Sequence, residues 1–328
     1  MSEVNPGEGL AARQRVSRQQ CAGAVLMIRP ASFDYNPETA ATNAMQQRDA
    51  VGGAGAGIEA RREFDRFVQA LSSEGVSVCV ATDTPQPAKP DAVFPNNWVS
   101  FHEDGTVVLY PMQAPSRRRE RRQEVIDTVV EKIGFKVTRV VDLTAYENEG
   151  LALEGTGSLV LDHVERTAYA SLSPRTHPAV VEEWSRQLGY EPVMFDAADR
   201  QGVPPYHTNV LMSIGERVVV VGADAIVERD RGRVLDRLRA SGRDVIEIGH
   251  DEIERFAGNM LEVASWDEAL GDCRVLVISA AARQALSAQT YERLSGCTDA
   301  VLAVPVPTIE RLGGGSVRCM LAEVFLPA

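Results

Sequence analysis

Short segments in which apolar and polar residues alternate recur along the chain. They predict β-hairpins that are each followed by a helix and a further strand. A strand candidate, AVLMIRP, occupies positions 24–30, and a helical period of apolar residues follows at 58–73. The first hairpin candidate lies at 96–111, where an Asp-Gly pair supplies a tight turn. A helical pattern over 117–133 and the strand FKVTRVV at 135–141 complete a unit of the order strand, strand, helix, strand.

The same order then returns at a nearly constant interval. Hairpin candidates open near Asn97, Gly155, His207, Asn259 and Gly315, which are 58, 52, 52 and 56 residues apart. A fixed period of this length is typical of radial or stacked repeats. We therefore predict an α/β fold, a single-domain five-bladed α/β propeller of ββαβ repeats in which the first and last strands pair. An open α/β sheet built from two lobes is the alternative.

Composition and charge narrow the class of protein. The chain is 44% hydrophobic and 24% charged, as a folded soluble protein is, and its net charge of -12 argues against nucleic acid and anionic membranes as partners. Residues 1–23 are polar and are predicted to form a flexible tail before a catalytic domain at 24–328. The glycine-rich stretch at 52–57 lacks the lysine of a phosphate-binding loop and is predicted to be a mobile loop. Five cysteines without a CxxC pair favour a reduced, cytoplasmic protein.

Three residues with complementary chemistry occur at the hairpin openings. In a propeller, corresponding positions of the repeats face the central axis, so Glu154, His207 and Cys319 are expected to meet there. A thiol, an imidazole and a carboxylate are the groups of covalent catalysis by a nucleophile and a general base. We expect Cys319 to be the nucleophile, although a lone cysteine is otherwise read as a small buried core residue.

The other cysteines, histidines and arginines have simpler interpretations. Cys79 lies within an apolar strand and is predicted to belong to the core. His102 and His163 lie near hairpin tips and are predicted to be solvated. Asn259 is interpreted as a turn residue without a chemical role. The basic run at 117–122 is mainly expected to be a solvated helix face.

Five motifs, in this order and spacing, resemble the guanidine-modifying (pentein) superfamily of arginine deiminases, amidinotransferases and dimethylargininases. The members of that superfamily share a five-bladed α/β propeller. The resemblance implies that Glu154 in LEGTGS pairs with His207 in YHTN, and that Cys319 in GGGSVRCM is the nucleophile. It also implies that Arg117 in YPMQAPSR and Arg175 in SPRT hold the α-carboxylate of a substrate.

The chain departs from the arginine deiminases at two positions. Asn97 in FPNN and Asn209 in YHTN stand where those enzymes use aspartates to hold a guanidinium group. A buried guanidinium would lack its counter-charges here, whereas a neutral ureido oxygen could accept from the amides. The opening RPASFDYNPETAATN at 29–43 is similar to the citrulline-utilisation hydrolase branch. The expected reaction is therefore hydrolysis of citrulline to ornithine, ammonia and carbon dioxide.

Other substrates and classes stay open at this stage. Succinylarginine dihydrolases also have neutral residues near the guanidine, and amidinotransferases share the first half-reaction. An arginine deiminase, a succinylarginine dihydrolase-like enzyme and an amidinotransferase are therefore alternatives, and a non-catalytic propeller used for binding is the non-enzyme alternative. The expected chemistry needs no metal and no organic cofactor. The expected partner is a small amino-acid substrate, and the formation of a homo-oligomer stays open.

Overall fold

The computed structural model describes residues 19–48 and 54–326. Within these ranges the strands form one six-stranded sheet and three three-stranded sheets. The strands are β1 (Ala24–Arg29), β2 (Ser77–Thr82), β3 (Val99–Phe101), β4 (Thr106–Leu109), β5 (Arg139–Asp142), β6 (Val160–Asp162), β7 (Thr167–Ser171), β8 (Glu191–Phe195), β9 (Met212–Ile214), β10 (Val218–Val221), β11 (Asp244–Glu247), β12 (Leu261–Asp267), β13 (Gly271–Ser279), β14 (Ala300–Val304) and β15 (Ala322–Val324).

The helices lie between the second and third strands of the units or at the openings of the hairpins. They are α1 (Pro37–Ala40), α2 (Ala54–Ser73), α3 (Gln123–Ile133), α4 (Gly155–Ser158), α5 (Pro178–Leu188), α6 (Glu228–Ala240), α7 (His250–Ile253), α8 (Ala280–Ala285) and α9 (Ala288–Ser295). The predicted helix at 117–133 is divided, because a 3-10 turn at Arg117–Glu120 precedes α3. Helix α3 ends at Gly134, whose left-handed φ of 76° suits glycine.

Each unit pairs its strands in the same way. The hairpins β3–β4, β6–β7, β9–β10 and β12–β13 are antiparallel, and the strand after each helix joins the second strand in parallel. The two ends of the chain make the fifth unit, since β15 is antiparallel to β1 and β2 is parallel to β1. The predicted ββαβ order and the pairing of the last strand with the first are therefore confirmed.

One further strand pair joins two of these units. Strand β15 contacts β3 through Val324 and Phe101, which gives the six-stranded order β2-β1-β15-β3-β4-β5. No pairing of the named strands links the remaining sheets within the described residues, and an isolated antiparallel bridge joins Ala197 to Ile226. The structure is thus a mixed α/β domain, and the closed five-bladed propeller stays a prediction.

The prediction that residues 1–23 form a flexible tail is wrong for the last residues of that segment. Residues 1–18 lie outside the described residues, but Gln20 and Cys21 are buried. The amide of Gln20 donates to the carbonyl oxygens of Leu161 and Ile214, 2.9 and 3.1 Å away. Because a buried amide is costly unless it is hydrogen-bonded, these contacts fix the chain before β1 against two hairpins.

The glycine-rich stretch at 52–57 is not a mobile loop over its described part. Residues 54–57 form the first turn of α2, and residues 52–53 lie outside the described residues. Cys79, in contrast, lies in the core as predicted, with 1% of its surface exposed. No helix among the described residues is long and apolar enough to cross a membrane.

Candidate active site

Short helical turns at the openings of the hairpins position the candidate side chains. The turns are Pro95–Asn97 before β3, α4 before β6, Thr208–Val210 before β9 and Val317–Met320 before β15. Glycine lets neighbouring turns touch, because a Cβ on Gly155 would lie 2.1 Å from the carbonyl oxygen of Asn96. The same holds for Gly258, where a Cβ would lie 2.3 Å from the carbonyl oxygen of Val210. These contacts bring residues from separate units to one place.

Cys319 lies between two amide side chains. Its Sγ is 3.4 Å from Nδ2 of Asn259 and 3.7 Å from Nδ2 of Asn209. The Asn259 amide cannot be reversed without loss, because its Oδ1 accepts from the backbone N–H of Arg318 at 3.1 Å. The Asn209 amide is fixed in the same way, because its Nδ2 donates to the carbonyl oxygen of Thr156 at 3.2 Å. Two N–H donors therefore lie beside the sulfur.

His207 and Glu154 form a buried pair. Nε2 of His207 is 2.8 Å from Oε2 of Glu154, and its Nδ1 has no hydrogen-bond partner within the described part of the chain. Burial would raise the pKa of Glu154, but Arg175, His207 and Arg117 together lower it to about 2. Burial lowers the pKa of His207 to about 4, although Glu154 opposes this shift. At neutral pH the ring is neutral, its Nε2–H donates to the carboxylate, and Nδ1 is a free acceptor.

Gly157 leaves room for the imidazole. A Cβ at this position would lie 2.7 Å from Cε1 and Nδ1 of His207 and 2.5 Å from Nδ2 of Asn97. Distances below 3 Å are repulsive, so only glycine fits between the two side chains. The second glycine of the LEGTGS motif therefore sets how close His207 and Asn97 come.

Arg117 is held by several buried acceptors. Its guanidinium makes two parallel hydrogen bonds to Glu120, both of 2.9 Å, one of 2.7 Å to Oδ1 of Asn97 and one of 3.3 Å to the carbonyl oxygen of Phe94. These bonds use four of the five N–H groups of an arginine. Burial raises the pKa of Glu120 to about 7, against the effect of Arg117. The role of Arg117 as a carboxylate-binding residue stays a prediction.

Arg175 contacts the segment that contains α1. Its Nε and one terminal nitrogen donate to Oγ1 of Thr42 at 3.0 and 2.9 Å, and the same terminal nitrogen donates to the carbonyl oxygen of Thr39 at 2.7 Å. Its other terminal nitrogen is 3.5 Å from Oε2 of Glu154. The α1 segment thus covers one side of the site and accepts hydrogen bonds from two of the three guanidinium nitrogens of Arg175.

Asp91 is a second carboxylate at the site, and the sequence analysis did not identify it. Its Oδ2 accepts from Nδ2 of Asn36 at 2.7 Å and from Oγ1 of Thr39 at 3.2 Å. Its Oδ1 is buried without a hydrogen-bond partner among the described residues. Burial raises its pKa, and the nearby Arg117 opposes that shift. Only its place shortly before the FPNN turn could have indicated a role.

A cavity of about 10 Å³ lies among these groups, which is room for about one water molecule. The residues that sequence analysis selected and that line it are Asn97, Arg117, Arg175, His207 and Cys319. Glu154 and Asn209 do not line the cavity, but Glu154 contacts His207 and Asn209 contacts Cys319. The structure therefore brings all the selected residues together. Sequence analysis missed Asp91, Asn259 and Tyr206, whose hydroxyl donates to the carbonyl oxygen of Gly314.

Metal ligation has no candidate here. No group of three or more His, Cys, Asp and Glu side chains with a metal-binding arrangement occurs within residues 19–48 and 54–326. The site presents a thiol, a neutral imidazole, amide donors, the guanidinium groups of Arg117 and Arg175, and the carboxylates of Glu154 and Asp91.

Several solved structures share the fold. ArgZ, an arginine dihydrolase from the ornithine-ammonia cycle in cyanobacteria, matches 93% of this chain at 18% identity with a TM-score of 0.70. This chain spans only 41% of the length of that protein, but it covers 98% of the N-terminal domain of ArgZ in a substrate complex, with a TM-score of 0.69. A dimethylarginine dimethylaminohydrolase in an adduct with S-methyl-L-thiocitrulline matches 92% of the chain at 16% identity, covers 99% of that protein and has a TM-score of 0.61.

A family model defines the relationship at the level of sequence. No curated protein sequence matches the chain. The model described as N,N dimethylarginine dimethylhydrolase, eukaryotic, matches residues 29–326 and so covers nearly the whole chain. The expected membership of the guanidine-modifying superfamily is thereby confirmed. The chain belongs to the N,N-dimethylarginine dimethylhydrolase family of the pentein superfamily.

Proposed function

We propose that this enzyme hydrolyses the ureido or guanidino carbon of a small amino acid through a covalent intermediate on Cys319. One observation carries the proposal: Cys319 and His207, whose Nδ1 has no hydrogen-bond partner among the described residues, line the same small cavity. The other ring nitrogen of His207 is bound to Glu154, so the imidazole is oriented as a base. Such a set suits the attack of sulfur on an electrophilic carbon.

In the first half-reaction, Sγ of Cys319 attacks the carbon and Nδ1 of His207 accepts the thiol proton. The imidazolium then gives this proton to the departing nitrogen as the C–N bond breaks. Glu154 holds the Nε2–H and stabilises the transient positive charge of the ring. With citrulline, ammonia leaves and an S-carbamoyl group remains on the sulfur.

In the second half-reaction, water attacks the S-carbamoyl carbon while Nδ1 of His207 accepts a proton from it. The C–S bond breaks, and Cys319 is restored. The released carbamate of the ornithine side chain loses carbon dioxide and leaves a free amine. Citrulline and one water thus yield ornithine, one ammonia and one carbon dioxide.

The two amides beside the sulfur support this chemistry. A thiolate gains from N–H donors that are already oriented, because no reorganisation is then needed when the charge develops. Nδ2 of Asn259 and Nδ2 of Asn209 are such donors, and backbone groups hold both. We therefore assign Asn259 a catalytic role beside Cys319, although the sequence analysis gave it none.

Charged groups that line the same cavity suit the amino-acid end of a substrate. Arg175 keeps one terminal nitrogen without a hydrogen bond, and Arg117 keeps one N–H, so both can bind an α-carboxylate. Asp91 has an unpartnered buried oxygen and can accept from an α-ammonium. Because the cavity holds about one water, the α1 segment must move aside before an amino acid can enter.

Citrulline is the favoured substrate because the polar side chains within 4 Å of the sulfur are neutral amides. A guanidinium ion held by these amides would lack the charge-assisted contacts that carboxylates supply, and loss of one such contact to a buried cation costs about 2–5 kcal/mol. A ureido oxygen, in contrast, can accept from the amide N–H groups. We expect a preference for citrulline over arginine of about 30-fold or more.

Arginine is the second candidate, and a specific observation favours it. Asp91 lines the same cavity and carries an unpartnered oxygen that could bind a guanidinium rather than an ammonium group. ArgZ is described as an arginine dihydrolase, and the family is named after dimethylarginine. Hydrolysis of arginine through to ornithine would release two molecules of ammonia, the first of them before the ureido stage.

The test compares citrulline, arginine and dimethylarginine as substrates of the full chain, with ornithine and ammonia measured together. We expect the highest kcat/KM for citrulline and one ammonia per ornithine. The double variant Asn97→Asp with Asn209→Asp should shift the ratio of kcat/KM values toward arginine. A wild-type preference for arginine, with two ammonia per ornithine, would contradict the substrate assignment.

The nucleophile is tested separately from the substrate. Cys319→Ala and His207→Asn should each lower kcat by about 1,000-fold or more, while circular dichroism shows an intact fold. Cys297→Ala, at a half-buried cysteine that does not line the active-site cavity, is the matched control and should keep full activity. Quenched reactions should show added mass on the peptide that contains Cys319, and a label on Cys79 instead would contradict the mechanism.

We further propose that the five ββαβ units surround one axis as a five-bladed propeller. Two features support it. The units share one pairing pattern, and the turns at their openings touch each other around Cys319.

A further inference from the structure

A second polar cavity, of about 160 Å³, lies among the turns of the hairpins β3–β4 and β6–β7. Its wall includes His102, Glu103, Asp104, His163, Arg166 and Tyr190. Because Asn97 precedes β3 and His102 follows it, this cavity lies at the opposite end of that strand from the active site. None of these residues has a part in the reaction proposed for Cys319.

Two buried imidazoles face this cavity. His102 and His163 occupy corresponding places, since each follows the first strand of its unit. The expectation that they are solvated is wrong, because only 7% and 9% of their surfaces are exposed. Aromatic rings from other elements cover them, with Phe325 centred 4.3 Å from His163. Burial lowers the pKa of His102 to about 4 and that of His163 well below its usual value, so both rings are neutral at neutral pH.

A chain of hydrogen bonds sets the tautomer of His102. The indole of Trp184 can only donate, and it donates to the hydroxyl of Tyr110 at 2.9 Å. That hydroxyl is 2.8 Å from Oγ of Ser100, which is 2.8 Å from Nε2 of His102. Because each buried hydroxyl proton needs an acceptor, Tyr110 donates to Ser100 and Ser100 donates to Nε2. Neutral His102 therefore carries its proton on Nδ1, which has no partner among the described residues.

Arg166 brings a full positive charge to the same wall. Its guanidinium lies 3.9 Å from the ring centre of Tyr190 and donates to the carbonyl oxygens of Leu188 and Gly189. No carboxylate lies within ion-pair distance of it in the described part of the chain. The cavity therefore presents a fixed cation with no carboxylate paired to it and an N–H donor on His102. Such groups together recognise a carboxylate.

We propose that this cavity binds a small zwitterionic α-amino acid, with the carboxylate at Arg166 and His102 and the ammonium at Glu103 and Asp104. The two acidic side chains belong to the same wall, and one oxygen of Asp104 accepts from the N–H of Thr106. They would repel a dianion such as phosphate and attract an ammonium group. A volume of about 160 Å³ is enough for a molecule of this size.

Histidine resonances allow the test to be made on the full chain, because it has only five histidines. His102 and His163 report on this cavity, and His207 reports on the active site. The probes are glycine, acetate, methylammonium and inorganic phosphate, added while the ring proton signals are followed by NMR. We expect saturable shifts of the His102 and His163 signals with glycine, weaker binding of acetate, and no saturable effect of methylammonium or phosphate.

Substitution of the cation completes the test. Arg166→Gln should weaken glycine binding by about tenfold or more, and Arg166→Lys, which keeps the charge without the planar fork, should weaken it less. Arg139→Gln is the matched control, since Arg139 also donates to neutral oxygens of a neighbouring element but does not line the cavity. The proposal is overturned by the absence of a saturable shift, by phosphate binding more tightly than glycine, by equal binding of acetate and glycine, or by binding that survives Arg166→Gln.

Discussion

Amide side chains surround the sulfur of Cys319, and backbone groups determine which way they face. The Oδ1 of Asn259 accepts from the N–H of Arg318, so its Nδ2 must lie toward the sulfur. An amide donor held in this way needs no reorganisation at the moment of reaction, because it already points at the sulfur. At the scale of the residue, activity therefore depends on orientation as much as on the kinds of group present.

Asn259→Asp tests this dependence. Aspartate keeps an oxygen for the N–H of Arg318 but replaces the donor beside Sγ with a second oxygen that carries negative charge. Two like charges about 4 Å apart repel by about 4 kcal/mol at an effective dielectric constant of 20. We expect the rate of iodoacetamide alkylation of Cys319 at neutral pH to fall by about tenfold or more, measured by mass spectrometry. An unchanged rate would show that Asn259 does not act on the sulfur, whatever the substrate is.

At the scale of the element, the turn that contains α4 packs so closely against the site that an added methyl group would displace its side chains. Gly157→Ala would place a methyl group against both His207 and Asn97. A displacement of about 1 Å in a catalytic group can cost about 100-fold in rate, so we expect kcat/KM to fall by about that factor. Gly232→Ala is the matched control, because Gly232 is exposed in α6 with no atom near its missing Cβ. If Gly157→Ala keeps wild-type kcat/KM, the position of His207 is not set by this turn.

The segment around α1 covers one side of the cavity that contains the thiol. Asn43 anchors it by donating from Nδ2 to the carbonyl oxygen of Gly314 at 3.1 Å, and its Oδ1 accepts from the N–H of Met45. Asn43→Asp removes the first bond and keeps the second. Loss of a hydrogen bond worth about 1 kcal/mol raises about fivefold the fraction of molecules in which this segment has moved away from the cavity. Alkylation of Cys319 should therefore accelerate by that factor. Equal rates in wild type and variant would mean that the segment opens elsewhere.

Sequence analysis identified secondary-structure elements more reliably than the side chains that contact one another in the fold. The ββαβ units followed from local alternation and turn residues, which act within a few positions, and β15 paired with β1 as expected. The surroundings of His102 did not follow, because Trp184 packs near it from a distant position in the chain. Asp91 and Asn259 were missed for the same reason, since a carboxylate or amide becomes informative only when its neighbours are known.

At the scale of the whole molecule, several buried groups titrate in opposite directions. His102 and His207 are held neutral, with pKa values of about 4, so acid disfavours the folded state through them. Glu120 has a pKa of about 7 in the folded state. As the pH falls below 7, the folded chain therefore binds a proton at Glu120 before the unfolded chain does, and acid stabilises the folded state through this residue. The contributions of these groups to the pH dependence of the free energy of unfolding therefore partly cancel. The contribution of one group is separated only by comparison with a variant that lacks it.

His102→Gln provides that comparison, because Oε1 of glutamine can accept from Ser100 as Nε2 of the imidazole does. The unfolded chain binds a proton at His102 below a pKa of about 6.5, whereas the folded chain does so only near 4. Stability from this residue is therefore complete above pH 6.5 and is lost as the pH falls from 6.5 toward 4. Between pH 7 and 5 the loss amounts to about 2 kcal/mol, at 1.36 kcal/mol for each unit of pH. We expect the free energy of unfolding, from urea titrations, to fall by about 2 kcal/mol less in His102→Gln than in the wild type over this range. His250→Gln, at a partly exposed position, is the control for the loss of one histidine, and a difference equal to that of the control would contradict a neutral buried His102.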